Sequence, residues 1–578
     1  MNKYYIGLST TFHDPAIAIL NHNGEILFAE AIERYLQNKR GLNCEPDNIF
    51  YLPQIINEYC DPQGEFVVGT NWPTKRPWTE IIHTVRKEHR AEALTLEKHG
   101  HFIFQFFLEK YKMTYQLALL RSGHQKRGVN IAQYLRNEYG NRNVSFQHFE
   151  HHDTHATMAC QSSPFSDATC MIVDSYGGDA SIAYYTYKNN RVKQIKKIRG
   201  TQSLGFFYMK LTELCGFHWL KGEEWKVMGL APYGKIDKDI SELFEQLLFV
   251  DGIKIKGCST KKINSIMEKL HKRKRAKNAS PWDAVNMACT GQDFFCRTMT
   301  KLLSNLSKIS SSKNLVLAGG CALNSAYNGQ ITQKTPFEKL YVPSAPGDDG
   351  CALGAAMMAY SQKNSPKKYY FTSPYLGSDI PKKSFSNLIK FNKSLNMQLH
   401  TGTVHKKTAK LLSEGKLIAW MQGRAEFGPR ALGNRSILAD PRSPKMKEKI
   451  NDLVKFREEY RPFAPAILHE YGDEYFENYQ ESPYMERTLS FKKDVMDKVP
   501  AVVHHNGTGR LQTVKEEWNS KFYQLILEFY NITSVPILLN TSLNIMGKPI
   551  IHSVEDAIAL FYTTGIDALI IDDYLIEK

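Results

Sequence analysis

His151, His152, Asp153, Thr154 and His155 stand in consecutive positions, and Asp174 closes an apolar run that follows. On a helix His151 and His155 share a face. Two imidazoles with a carboxylate at a strand end suit a divalent transition metal that keeps positions open for water or substrate. His152 stands where a zinc-protease helix needs Glu, so that chemistry is not implied. Taken alone, the histidine pair reads more simply as surface residues, and it gains meaning only from the elements around it.

A second cluster is cationic. Arg424, Arg430 and Arg435 are interleaved with Gly423, Gly428 and Gly433, and Lys455, Arg457 and Arg461 follow. Guanidinium forks beside glycine N–H groups can hold phosphate oxygens together. Glu426, Glu458 and Glu459 offer surface salt bridging as the alternative. Arg430 and Arg435, however, sit among Gly, Pro, Ala and Leu. With the polar stretch Asn540-Thr541-Ser542-Leu543-Asn544, expected as a loop, they suggest a pocket for a nucleotide and a second small anion.

The elements that must position these groups repeat. An apolar strand, Tyr4 to Leu8, runs into the polar turn containing His13 and Asp14, then a strand, the Asn23-Gly24 turn and a returning strand. The order recurs from Thr169 through Asp174, Ser175 to Asp179, and two further strands joined at Asn189-Asn190. Two such units, each followed by helical sequence, predict a duplicated actin-like ATPase core whose turns face one another across a nucleotide cleft. Leu315 to Ala318 runs into Gly319-Gly320-Cys321-Ala322-Leu323-Asn324, where a glycine pair and a helix start can approach phosphate or ribose. Asp348, in Pro346-Gly347-Asp348-Asp349-Gly350, supplies another carboxylate before a small-residue helix.

These motifs together resemble the NodU/CmcH family of O-carbamoyltransferases over nearly the whole chain. The resemblance rests on His13-Asp14, His151 to Ala156, Lys226 to Gly234, Gly319 to Asn324, Glu426 to Arg442 and Leu539 to Ser542. It implies an α/β protein, with a duplicated actin-like (ribonuclease-H-like) domain over 1–360, a linker over 361–368 and a YrdC-like domain over 369–578. The second domain would make carbamoyl-adenylate from carbamoyl phosphate and ATP with Mg(2+). The first, holding Fe(2+), would pass the carbamoyl group to the hydroxyl of a small-molecule acceptor, in natural-product or glycan biosynthesis. Carried over by position, His151, His155, Asp174 and Asp348 hold the metal. Arg430, Arg435, Lys455, Arg461 and Arg510 hold carbamoyl phosphate and triphosphate. Gly319, Gly320, Asn324, Asn540, Thr541, Ser542 and Asn544 face nucleotide. His13, with Lys39 nearby, serves transfer. On chemistry alone His13 is equally well a proton acceptor or a turn cap. The chain departs from the family at Asn506-Gly507-Thr508-Gly509-Arg510, where Asp-Gly-Thr-Ala-Arg is usual, and at Leu543, usually Phe.

The composition is consistent with this reading. A chain of 578 residues exceeds one core. Its 42% hydrophobic and 23% charged residues are ordinary for a globular protein. No apolar run reaches the ~18 residues a membrane span needs, so no membrane partner is expected. The N-terminus lacks a secretory pattern, and the ten cysteines include no Cys-x-x-Cys pair, which suits the cytoplasm. Part of the net charge of +15 is the tract Lys269 to Lys277, which has no interleaved aromatic and reads as a solvated insertion rather than a nucleic-acid site. A helical insertion is expected over about 78–140. The acceptor and the oligomeric state, a homodimer included, stay open. The rival functions are tRNA threonylcarbamoylation and a non-catalytic actin-like ATPase.

Overall fold

The computed structural model describes residues 2–72, 128–200, 202–276, 278–370, 373–391 and 396–578. Most of the insertion expected over 78–140 lies outside them.

The first sheet holds β1 (Lys3–Ser9), β2 (Ala16–Leu20), β3 (Ile26–Ala31), β4 (Glu65–Thr70) and β5 (Val144–His148), in the order β3-β2-β1-β4-β5. The second begins with β6 (Asp167–Gly177), β7 (Ala180–Lys188) and β8 (Arg191–Arg199). After a hairpin of β9 (Leu248–Asp251) and β10 (Lys254–Gly257), β11 (Asn314–Ala318) and β12 (Lys339–Tyr341) complete it, in the order β12-β11-β6-β7-β8. In both sheets the first strand pairs antiparallel with the second and parallel with the fourth. The duplicated order is the actin-like arrangement expected from the repeat. β2 is apolar along its whole length and β1 from Tyr4 to Leu8, as strands buried on both faces require.

Two helices set the geometry of the site. Helix Gly350–Ser361 lies so close to β1 that a Cβ on Gly7 would stand 1.8 Å from the Ala352 carbonyl oxygen. Helix His151–Ser162 crosses it at Gly354, where a Cβ would stand 2.0 Å from the Thr154 carbonyl oxygen. Glycine at that crossing lets the two backbones touch. It fixes the histidine face against the turn carrying Asp348.

Helix Val129–Tyr139, inside the expected insertion, is the crossover between β4 and β5; its Ile131 and Leu135 join the core beneath the first sheet. The insertion is therefore shorter at its C-terminal end than 140. The 361–368 stretch lies along the first domain rather than hanging free. Asn364 donates to the Tyr5 hydroxyl at 3.1 Å, Lys368 to the Phe165 carbonyl at 2.8 Å, and further on Ala29 N–H to the Leu376 carbonyl at 2.8 Å.

The remaining strands are β13 (Met397–Leu399), β14 (Ile418–Met421), β15 (Arg435–Ala439), β16 (Ala464–Leu468), β17 (Arg487–Ser490), β18 (Thr508–Val514), β19 (Ile537–Ser542), β20 (Ala568–Ile571) and β21 (Tyr574–Glu577). They form one mixed sheet, β13-β21-β20-β14-β15-β19-β16-β18-β17, around a core that includes Trp420 and Phe522. Asn540, Thr541 and Ser542, expected in a loop, are the end of β19. They pair with β15 at Leu438, Ile437 and Ser436, so sheet hydrogen bonding overrides their polar character.

One buried carboxylate ties the domains together. Glu426 Oε1 accepts from the backbone N–H groups of Leu432, Asn434 and Arg435 at 2.8, 2.8 and 3.1 Å. Its Oε2 lies 3.7 Å from Nη1 of Arg34 in the first domain, and both side chains are buried. Arg34 Nη2 also donates to the Gly428 carbonyl at 3.0 Å. Glu426→Ala should lower the unfolding free energy of the full chain by about 3–5 kcal/mol, because Arg34 stays buried without its counter-ion. Glu426→Gln, which keeps an acceptor for the loop, should lose less. Equal denaturation midpoints for the alanine variant and the parent would contradict this role.

Candidate active site

Four buried donor groups converge where the helices cross. His151 Nε2 lies 3.3 Å from Asp174 Oδ2 and 3.6 Å from Asp348 Oδ1. His155 Nε2 lies 3.2 Å from His151 Nε2, 3.5 Å from Asp348 Oδ1 and 3.7 Å from Asp174 Oδ2. A divalent metal with bonds of about 2.0–2.2 Å holds adjacent ligands roughly 3.0–3.5 Å apart. The donors stand close to that spacing, and a two-imidazole, two-carboxylate set fits an open-sited transition metal. Burial opposes the charge of Asp174, but its hydrogen bond with His151 and the neighbouring imidazoles hold its carboxyl well below the usual range. His152 is buried with neither ring nitrogen hydrogen-bonded among the described residues, and burial keeps it neutral.

Next to this cluster lies the first polar turn. His13 Nδ1 is 2.8 Å from Asp14 Oδ2 and 3.6 Å from Asp348 Oδ2. Asp14, at φ 55°, is fastened by its N–H to the Arg40 carbonyl at 2.7 Å and by Arg40 Nη2 at 3.2 Å. A carboxylate on Nδ1–H makes Nε2 the basic nitrogen of the imidazole. Asp14 was quoted in the sequence only as a neighbour of His13, and its partnership with the ring comes from the turn.

The cations gather on the facing wall. Lys39, Arg430, Lys455, Arg457, Arg461 and Arg510 line the same cavity. Burial pushes Arg430 down to about 10. Burial, followed by the charges of Arg430, Arg457 and Arg461, holds Arg510 well below its ordinary value. Burial and then Arg457, Arg461 and Lys39 do the same to Lys455. Arginine stays charged in proteins, so these shifts express a desolvation and repulsion cost that a bound anion would offset. Arg457 Nη2, Arg461 Nε and Arg510 Nε have no hydrogen-bond partner among the described residues. Lys455 Nζ is held by the Ser542 carbonyl and by Asn544 Oδ1 at 2.8 Å, which aims it along the end of β19.

Both walls belong to one cavity of about 980 Å³. It reaches from Asp174, Asp348 and His13 past Gly320 and Asn324 to Arg430, Arg510 and Asn540 to Asn544. Gly320 abuts the metal cluster, its would-be Cβ 3.2 Å from Asp174 Oδ1. Two expectations are corrected. Arg435 is fully buried away from the cavity and donates to the carbonyls of Gln422, Asn434, Gly423 and Ser378, so it braces the glycine-rich loop instead of meeting phosphate. Gly319 lies behind Gly320 and serves a φ of 89° under Val173, outside the cavity wall. Arg457, named in the sequence only as part of a run, is a cavity residue; burial beside Arg461 is what marks it. The Asn506 departure is absorbed within its turn, where Oδ1 accepts from the Thr508 hydroxyl at 2.8 Å.

The basic tract is largely neutralised at home. Arg273 pairs with Asp237 and Asp239 at 3.0 and 2.8 Å, Lys274 with Glu213 at 3.1 Å, and Arg275 donates to three backbone carbonyls. Lys277 lies outside the described residues.

A family model described as carbamoyltransferase N-terminus matches residues 4–357, and one described as carbamoyltransferase C-terminus matches residues 409–578. Among curated proteins, nodulation protein NolNO of Sinorhizobium fredii is 35% identical over 458 residues, which cover 78% of this chain and 66% of that protein, just under two thirds of its length. Nodulation protein NolO of Bradyrhizobium diazoefficiens is 34% identical over 436 residues, 74% of this chain and 78% of NolO. Among solved structures, the activator of the 2-hydroxyisocaproyl-CoA dehydratase from Clostridium difficile with bound ADPNP aligns over 62% of this chain and 95% of its own, at 14% identity and a TM-score of 0.31. No helix among the described residues is long and apolar enough to cross a membrane.

His155→Ala should lower the content of bound divalent transition metal at least ~10-fold, since a ligand loss exceeds the effect of losing an outer-sphere partner. The fold should persist, because the cavity left is small and polar. Unchanged metal-to-protein ratios by elemental analysis would remove His155 from the cluster.

Proposed function

The chain belongs to the carbamoyltransferase family, and we propose on that premise that it is an ATP-dependent O-carbamoyltransferase working in two steps within one chamber. The observation that carries this reading is one cavity, whose lining joins buried, mutually repelling cations to His13 and the carboxylates Asp174 and Asp348, with His151 and His155 buried against those carboxylates.

At the cationic wall, Arg430, Lys455, Arg457, Arg461 and Arg510 would hold the phosphate oxygens of carbamoyl phosphate and ATP. Charge-assisted bonds in a desolvated site offset the repulsion that burial imposes on them. Atom balance sets the products. Water takes the phosphate of carbamoyl phosphate, and the carbamate oxygen attacks the α-phosphorus of ATP with pyrophosphate leaving. Carbamoyl-adenylate results, a reactive anhydride whose nucleotide handle supplies binding energy for the next step. Asn540 to Asn544 and, in the first domain, Gly320 and Asn324 offer polar groups along its path.

At the opposite wall the acceptor hydroxyl attacks the carbamoyl carbon, AMP leaves and the carbamate ester forms. His13, with Asp14 on Nδ1, takes the hydroxyl proton at Nε2. Lys39 bridges the walls. It lines the cavity with both His13 and the arginines, and burial, outweighing Glu33 and reinforced by Arg461 and Arg430, lowers its pKa. His151, His155, Asp174 and Asp348 would hold the metal, for which iron(II) suits the donors, and a bound metal would supply Lewis acidity toward the carbonyl or the adenylate phosphate. A reactive anhydride of this kind survives only if it passes between the steps with little exposure to water, which placing both groups of residues along one cavity favours.

Two variants test the division of labour. Arg430→Ala should abolish carbamoyl-phosphate-dependent pyrophosphate release while leaving metal content at the parental level; release at the normal rate would count against this pocket. His13→Ala should release pyrophosphate as the parent does but lose carbamoyl transfer to a hydroxylated acceptor by on the order of 100- to 10,000-fold. If transfer by His13→Ala is undiminished, the proton goes elsewhere and His13 is a turn residue.

A further inference from the structure

The phosphate wall belongs to the second domain, yet one of its arginines is seated on the first. The Arg461 guanidinium carbon lies 3.7 Å from the centroid of the Trp225 ring, on helix Glu224–Leu230. Lys39 and Lys226 Nζ lie 5.7 Å from an aromatic ring of the same residue. The stack is supported by an ion-pair chain between the domains. Lys226 Nζ meets Glu458 Oε1 at 2.9 Å, and Glu458 Oε2 meets Arg461 Nη1 at 3.4 Å. Gly229, one turn further along the helix, faces the ring of Pro462, its would-be Cβ 3.6 Å from Cδ.

This arrangement has a chemical purpose. A guanidinium lying flat on an indole keeps its in-plane N–H edges exposed, and the π face compensates part of the desolvation cost without consuming a donor. Glu458 takes only Nη1, and Lys226 draws on the same carboxylate, so Arg461 is steered but not neutralised. Its Nε has no hydrogen-bond partner among the described residues. A long flexible side chain is thereby ordered in advance of the ligand, which lowers the entropy lost on binding.

We propose that Trp225 is a positioning residue of the first domain that preorganises Arg461 for the phosphate of carbamoyl phosphate, so that the adenylate-forming site is a composite of both domains. The proposal rests on the reading of that wall as the carbamoyl phosphate site.

The test measures pyrophosphate release by the full-length chain against carbamoyl phosphate and, separately, against ATP. Trp225→Leu should raise KM for carbamoyl phosphate about 10-fold, with kcat and KM for ATP within about 2-fold of the parent, and Trp225→Phe should recover most of the loss. A purely supportive aromatic would not give that split. The decisive arm is the cycle with Arg461→Ala. Once Arg461 is gone, Trp225→Leu should change KM for carbamoyl phosphate no further, whereas independent effects would multiply. Multiplied effects, or a Trp225→Leu variant with parental KM, overturn the proposal. Thermal unfolding of each variant guards the comparison, and if Trp225→Leu unfolds, Trp225→Phe against Trp225→His carries the same cycle. A parent chain that releases no pyrophosphate with carbamoyl phosphate would instead overturn the reading of the wall itself.

Discussion

Several cations forced together in a poorly solvated space repel one another, and the architecture is organised around holding them there. Arg457, Arg461 and Lys455 come from one short stretch, Arg430 from the glycine-rich loop, Arg510 from β18 and Lys39 from the first domain. No single element could hold six such groups at one point. The sheet and loops supply the restraint: Ser542 and Asn544 grip Lys455, Trp225 seats Arg461, and Glu426 locks the loop that carries Arg430. Stability is spent at this wall and recovered in the cores on either side, as is common where a site must be ready for charge before charge arrives.

The opposite wall solves the complementary problem. Its carboxylates Asp174 and Asp348 are met by the imidazoles of His151 and His155. The cavity lining thus carries both acidic and cationic side chains. The duplicated core brings the turn at Asp14 and the irregular stretch of β6 at Asp174 to the same cleft.

The sequence was most legible where local chemistry and fold agree. The repeated strand and turn pattern gave the doubled sheet because apolar strands and turns such as Asn23-Gly24 carry their own signal; helix pitch puts His151 and His155 on one face, whereas Asp348 is joined to them in the sequence only by the family resemblance. Arg435 was misread for a physical reason. An arginine bonded to backbone carbonyls and one awaiting a phosphate both need apolar, glycine-rich neighbours, and only the direction of the side chain separates them. Asn540 to Ser542 read as a loop because pairing with β15 is a long-range fact. Trp225 escaped notice because its partner lies in the other domain, and no spacing rule connects them.

The stretches 364–370 and 373–378 bear on how the two domains are held together. Because they are stitched to the first domain through Tyr5, Phe165 and Glu30, the second domain is leashed from a point beside the interface and not from the end of helix Gly350–Ser361. A shorter leash raises the effective concentration of one domain at the other. Contacts individually too weak to join separate molecules, such as Lys226 with Glu458, then suffice to hold the domains together. Their association is in this sense a property of chain connectivity as much as of the interface.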